Sequence, residues 1–457
     1  MFKRALLKEL EKWRQNIPRK PLVMRGARQV GKTTLVNQFA KQYEQYIYLN
    51  LELVEDKEPF ENFTSIENLI NTIFFLKNKS LSKKSNTLLF IDEIQEVPKA
   101  LNTLRYFYEL APEISIIAAG SMLETLFDKN ITFPIGRVEY KVIRPVSFPE
   151  FLSAVDETAA LDQLTQVPFA PFAQNKLLKL FHIYALIGGM PEIVQHYAAH
   201  KDLSTLAPIY DSLISGYIED VEKYAKSNAQ ILHIRHCIQS SFSQAGKRIK
   251  FEGFGNAAYK SREMGESLRT LEKALLIELI YPCTTGTLPK EPDIKKSPRL
   301  QILDTGLLNY FVGLQKEIIG TNDLNSIYQG TMIEHLMGQE LLAFQFTALS
   351  KLQFWVRAKN QSTAEVDFLF QYDGLLIPIE VKSGASGSLR SLHIYMDTAP
   401  HDIAIRFYAG VLQITDAITP NGKNYQILNL PYFLGSQIEH YITWFMQTKK
   451  GSATASI

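Results

Sequence analysis

Gly26-Ala27-Arg28-Gln29-Val30-Gly31-Lys32-Thr33 decides the reading of this chain. The stretch fits G-x-x-x-x-G-K-[ST], the pattern of a phosphate-binding loop. Its surroundings fit too. Pro21-Leu22-Val23-Met24 is a short apolar run that predicts a strand entering the loop, and Thr34-Leu35-Val36-Asn37-Gln38-Phe39-Ala40 predicts the helix leaving it. Glycine lets the backbone curl around an anion without Cβ clashes. The helix N-terminus adds unpaired N–H groups and the positive end of its dipole. In such a loop Gly26 to Thr34 cradle ATP, Lys32 reaches the β- and γ-phosphates, and the Thr33 hydroxyl holds Mg²⁺.

Outward along the chain, Thr87-Leu88-Leu89-Phe90-Ile91-Asp92-Glu93 is an apolar strand ending in two acids. Beside a phosphate loop, Asp92 is expected to hold the Mg²⁺ shell. Glu93, one residue beyond the strand, is placed to orient and deprotonate the attacking water. The expectation of hydrolysis, as opposed to binding alone, rests mainly on Glu93.

RGARQVGKTTL, LLFIDEIQEVP, IIAAGSMLE and FPIGRVEYKVIRPVSFPEF together resemble the AAA-type ATPases of bacteria and archaea, specifically the group with a C-terminal domain of unknown function and a nuclease-like core. The resemblance implies further roles. Ser121, ending the fourth strand, would sense the γ-phosphate. Arg137 would act on the nucleotide of a neighbouring subunit, which implies a homo-oligomer. Asn50 would be the polar residue ending the second strand.

Composition sets bounds. A chain of 457 residues is too long for one core and predicts roughly two to four domains. A formal net charge of +2 does not advertise nucleic acid, so basic patches must be sought locally. Cys237 and Cys283 stand far apart and outside metal-like spacing, which suits a reducing compartment. No apolar run reaches the roughly 18–20 residues of a membrane span. Met1-Phe2-Lys3-Arg4 leads into a charged amphipathic helix and not a secretory segment, so the expected location is cytoplasmic.

The expected fold class is α/β: an AAA-type P-loop parallel-sheet domain over residues 1–165, a helical lid over 166–240, a winged-helix-like domain over 241–315, a restriction-endonuclease-like α/β domain over 316–450, and a flexible tail over 451–457. The lid reading follows from helical spacing between Asn175 and Ile238, broken once at Gly188-Gly189-Met190-Pro191. The winged-helix reading follows from a helix starting at Ser261, a strand at Leu276–Tyr281, a basic turn with Lys290, Lys295, Lys296 and Arg299, and a strand at Leu300–Leu303. In that reading the Ser261 helix enters a DNA major groove and the basic turn is a wing on the phosphate backbone. Glu263, Glu266 and Glu272 on the same helix would repel phosphates.

A second constellation lies near the C-terminus. Asp373-Gly374 between two strand-like runs is a hairpin signal. Counting outward from Tyr372 opposite Leu375 sets Asp367 across from Glu380 and Glu365 across from Lys382. Directly paired residues share a face, so three carboxylates and a lysine gather on one side. Val366, Phe368, Phe370, Ile377, Ile379 and Val381 take the other. Carboxylates facing each other repel, and hard oxygen ligands suit Mg²⁺ or Mn²⁺. The pattern resembles the PD-(D/E)xK nuclease core. That resemblance makes Asp367 and Glu380 metal ligands, gives Lys382 a catalytic role, and adds Glu334 from a preceding helix; Val366 departs from it, standing where proline is usual. The overall expectation is an ATPase acting on double-stranded DNA. The alternative is an ATP-dependent signalling or assembly switch whose nuclease-like domain is inactive and serves for docking.

Overall fold

The computed structural model describes residues 2–120, 136–223, 225, 227–315, 331–347, 349–358, 364–382 and 389–454. The N-terminal unit runs α1 (Leu6–Gln15), β1 (Leu22–Arg25), α2 (Lys32–Ala40), β2 (Gln45–Asn50), α3 (Val54–Asn62), α4 (Ile66–Leu76), β3 (Thr87–Asp92), α5 (Pro98–Leu110), β4 (Ser115–Gly120) and β5 (Glu139–Val142). Its five strands are parallel, in the order β2-β3-β4-β1-β5. Helices cover both faces, which is why β3 and β4 are buried at every position and read as unbroken apolar runs. Strand alternation sends Leu22 and Met24 into one core and Val23 into the other.

Helices follow: α6 (Phe148–Ala154), α7 (Thr158–Thr165), α8 (Gln174–Ile187), α9 (Pro191–His200), α10 (Ala207–Glu219) and α11 (Asn228–Gln244). Gly188 ends α8, and Pro191, which needs no N–H partner in a first turn, starts α9. Next come α12 (Ser261–Lys273), β6 (Ile277–Ile280), β7 (Pro282–Cys283), β8 (Arg299–Ile302) and α13 (Thr305–Phe311). Met264, Leu268 and Leu271 form the buried stripe of α12. β6 and β8 pair as an antiparallel two-stranded sheet.

The C-terminal unit comprises α14 (Thr331–Ala343), β9 (Phe354–Val356), β10 (Glu365–Val366), β11 (Phe368–Tyr372), β12 (Leu375–Val381), α15 (Arg390–Thr398), β13 (Ile403–Tyr408), β14 (Gln413–Ile418), β15 (Asn424–Pro431) and α16 (Ile438–Thr454). A mixed sheet has the order β11-β12-β13-β15-β14, and a smaller one β10-β9-β7. Pro282–Cys283, expected within the middle unit, thus pairs with β9 of the last one. The final helix continues to Thr454, past the position 451 where a tail was expected to begin.

One apolar cluster runs through all these units, from Leu6 to Phe445. A buried polar junction crosses it. Asp304, the N-cap of α13, accepts from the Leu307 amide at 3.0 Å and from the Gly189 amide at 2.5 Å. Glu340 of α14 accepts from the Tyr184 hydroxyl of α8 at 2.7 Å and from the Phe148 amide at 3.1 Å. Gln339 links the two, donating to the Tyr184 oxygen at 3.1 Å and to Asp304 at 3.4 Å. Burial holds both carboxyls above their usual range, Asp304 at about 6 and Glu340 at about 7.

Candidate active site

The phosphate loop spans the gap between β1 and α2. Gly31 caps α2 in the left-handed conformation, at φ 90°. The Lys32 ammonium donates to the carbonyls of Gly26 and Ala27, each at 2.9 Å. Burial pulls its pKa down, opposed by the charges of Glu93 and Asp92. The Thr33 hydroxyl donates to Asp92 Oδ2 at 2.7 Å, and the Tyr48 hydroxyl reaches the same oxygen at 3.3 Å. Burial raises the Asp92 carboxyl, and the Thr33 bond opposes the rise.

Glu93 sits just beyond β3, in the left-handed region at φ 50°. This backbone is sparsely populated for a residue with a side chain, and it turns Glu93 out of the strand into the cleft. Its Oε2 accepts from Gln95 at 2.5 Å. A cleft of about 450 Å³ is lined by Arg28, Gln29, Gly31, Lys32, Thr33, Thr34 and Glu93, and across from them by Pro191, Glu192 and Gln195 of α9.

Several residues that shape this cleft carry no local sequence signal. Arg4 donates to the Val30 carbonyl at 3.0 Å while paired with Glu150 at 3.0 Å, bracing the loop from the N-terminal segment. The Tyr217 hydroxyl donates to the Arg28 carbonyl at 2.9 Å, and the Arg28 guanidinium meets Asp220 at 2.7 Å. Glu192 and Gln195 were hidden behind a motif readable only as a helix break. Asn50 lies in register with Asp92 on the adjacent strand. Ser121 lies outside the described residues. Arg137 pairs with Glu109 of its own chain at 2.9 Å on an exposed surface.

Three family models match the chain. Residues 18–152 match an AAA domain, and residues 178–318 and 329–433 match two domains of unknown function (DUF8612 and DUF4143). Among solved structures, the chain is similar to a Walker-type ATPase of Pyrococcus abyssi, at 17% identity and TM-score 0.43, over 68% of this chain and 96% of that one. It is also similar to the ORC1 protein of Aeropyrum pernix in complex with DNA, at 12% identity and TM-score 0.31, over 68% and 91%. A third is AMPPCP-bound DnaA from Aquifex aeolicus, at 13% identity and TM-score 0.25, over 59% and 86%. No curated protein matches the chain. No helix among the described residues is long and apolar enough to cross a membrane. The region that matches an AAA domain presents its loop and Glu93 to one cleft, opposite a helix from the adjoining matched region.

The second constellation differs in part from its sequence reading. The β11–β12 ladder has Tyr372 opposite Leu375 and runs to Phe368 opposite Ile379, in the register counted from the Asp373-Gly374 turn. It stops there. Asp367 bends out of the ladder, and its Oδ2 accepts from the Val381 amide at 2.7 Å. The chain before it pairs with β9, Glu365 opposite Val356 and Val366 opposite Trp355. Glu365 therefore does not face Lys382, and Val366 joins a different core from Phe368.

Lys382, just past the end of β12, bonds Glu380 two residues back. Burial opposes the charge of Lys382, but Glu380, Asp367 and Glu334 together more than offset it and hold the ammonium above its usual range. Burial, then the charge of Asp367, pushes both Glu380 and Glu334 up. Among the described residues no group of three or more His, Cys, Asp or Glu side chains is spaced to hold a metal ion. Glu334, Asp367 and Glu380, expected to share a divalent cation, are in electrostatic contact without forming such a group. A guanidinium lies among the carboxylates instead. Arg299, expected on a DNA-facing wing, is 4% exposed. It pairs with Glu365 and stands 3.8 Å from Asp367 and 3.9 Å from Glu334.

Proposed function

We propose that the protein binds and hydrolyses ATP and couples turnover to a winged-helix and nuclease-like C-terminal region that acts on double-stranded DNA. One observation carries the ATPase reading. Lys32, Thr33 and Glu93 line one cleft, and buried Asp92 accepts from the Thr33 hydroxyl behind it at 2.7 Å. The residues fit ATP and Mg²⁺. Lys32 is a buried ammonium whose two hydrogen bonds are to the loop's own carbonyls, so it has reason to exchange them for phosphate oxygens. Thr33 and Asp92 place two hard oxygens side by side, as a magnesium shell requires. Magnesium would offset the charge of the transferring phosphoryl group. Glu93 would take the proton of the attacking water. Ser121 as γ-phosphate sensor and Arg137 as a group acting on a neighbouring copy complete the reading.

Support for action on DNA is architectural. α11, α12 and the β6–β8 pair follow the order of a winged helix. The β11–β12 hairpin with Asp367, Glu380 and Lys382, and Glu334 on α14, follow the order of a PD-(D/E)xK core. The burial of Arg299 removes one cation from the wing and favours a second reading: an ATP-driven assembly switch whose C-terminal unit docks without cutting. Turnover measured with and without double-stranded DNA at low salt separates the two. Stimulation by DNA supports the first reading, and turnover indifferent to DNA together with no DNA binding supports the second. A Lys32→Ala variant with wild-type turnover would overturn the ATPase assignment itself.

A further inference from the structure

Arg299 belongs to β8 in the middle unit, yet its side chain ends inside the C-terminal one. One guanidinium nitrogen donates to the Asp367 carbonyl at 3.0 Å. The other pairs with Glu365 and stands 3.8 Å from the Asp367 carboxylate. The rings of Phe354 and Phe368 flank the group, with centroids 4.8 Å and 5.7 Å away. A planar fork held by carboxylates at its edge and aromatic rings near its faces is a built arrangement, suited to arginine and not to lysine.

Glu380 shows independently that this carboxylate site is short of positive charge: besides burial, the charges of Asp367 and Glu334 push its carboxyl up. Among the described residues its Oε2 is buried without a hydrogen-bond partner, while its other oxygen bonds Lys382. Leaving a buried carboxylate oxygen unmet costs free energy, and a donor or cation on that side would relieve it.

We propose that Arg299 is an internal counter-ion that holds the cation position of the C-terminal carboxylate site and keeps divalent metal out while the middle and C-terminal units are docked. The proposal rests on the nuclease-like reading of that unit. A divalent cation needs several oxygens to close to about 2.0–2.6 Å. Among the described residues Glu334, Asp367 and Glu380 are not gathered to do so, and Arg299 stands between Glu334, Glu365 and Asp367. Arginine also keeps its charge at any pH the fold survives, so a proton cannot lift the block. Arg248 reinforces the contact from the same side, 3.6 Å from Glu365.

The test uses full-length protein stripped of metal, with Mn²⁺ as the probe and free Mn²⁺ followed by electron paramagnetic resonance. Wild type and Asp367→Asn should take up the same Mn²⁺, because Asp367 is not available to it. Arg299→Gln should gain an additional bound Mn²⁺, and adding Asp367→Asn to that variant should abolish the gain. If Asp367→Asn lowers uptake in the wild-type background, metal enters past Arg299; the block is then wrong while the nuclease-like metal site survives. If folded Arg299→Gln takes up no more than wild type, both the block and the metal site are wrong. Should Arg299→Gln fail to fold, Arg299→Met, which is uncharged and packs well among apolar groups, is read the same way. The wild-type comparison stands in either case.

Discussion

The Gly189 amide donates to the Asp304 carboxylate at 2.5 Å. Two residues after Gly189, α9 begins, and Pro191, Glu192 and Gln195 of that helix line the cleft beside the phosphate loop. Asp304 in turn caps the helix that follows β8, the strand carrying Arg299. The bond therefore joins the wall of the phosphate-loop cleft to the strand that enters the C-terminal carboxylates.

Close approach at this joint gives a contrast between two glycines. A Cβ on Gly188 would sit 2.3 Å from an Asp304 carboxylate oxygen, with φ at +74°. A Cβ on Gly374, at φ +78° in the hairpin turn, would meet nothing within 4 Å. Gly374→Ala should cost about 1 kcal/mol, from backbone strain alone. Gly188→Ala should cost upwards of about 3 kcal/mol, because the buried carboxylate must move as well. Denaturant melts of the two variants check the ranking; equal losses would contradict it.

Turnover and binding should part company at Glu93. Glu93→Gln keeps the loop, Lys32 and the Thr33–Asp92 pair, so nucleotide affinity should hold while turnover drops about 10²–10⁴-fold. Lys32→Ala should lose binding itself. A fluorescent nucleotide titration beside a phosphate-release assay distinguishes the two, and unchanged turnover in Glu93→Gln would reassign the base.

Glu340 should leave a trace in the pH dependence of stability. Its folded carboxyl is raised from 4.5 to about 7 by burial, against the bonds from Tyr184 and the Phe148 amide. Between those values the folded chain keeps a proton that the unfolded chain releases, so this group's contribution to stability falls as pH rises through the window. Glu340→Gln retains an acceptor oxygen and does not titrate. Its Tm relative to wild type should therefore rise between about pH 4.5 and about pH 7.5. A constant difference would show that Glu340 does not titrate there.

Assembly should show in the rate. If Arg137 acts on a neighbour's nucleotide, it must leave Glu109, and specific activity should climb with protein concentration. Arg137→Ala should abolish that climb and leave the basal rate of dilute protein intact. A wild-type rate per chain that is flat across concentrations, with no ATP-dependent rise in mass, would remove the role.

The sequence was most readable where chemistry and backbone sit in adjacent residues. Lys32, Thr33, Asp92 and Glu93 come in two short runs, and the strand-to-loop exit at Glu93 follows from where the apolar run stops. Asp373-Gly374 specified the hairpin register as far as Phe368, because a two-residue turn leaves no freedom in counting. The count failed at Asp367 because pairing with β9, more than eight residues back, competes for Glu365 and Val366. Arg299 looked like any basic turn residue; its partners lie 66 and 68 positions away. Asp304 and Glu340 gave no signal, since a lone acid at an apolar boundary reads as a surface charge.

Leu10 of the first helix and Phe445 of the last belong to the same apolar cluster. The Val142 amide at the end of the five-stranded parallel sheet also donates to the Phe346 carbonyl at 2.9 Å, closing the chain's two halves on each other. A recombination breakpoint between them would tear one core into two incomplete ones. A chimera that joined this N-terminal half to an unrelated C-terminal one would therefore leave matching apolar surfaces of both halves open to water.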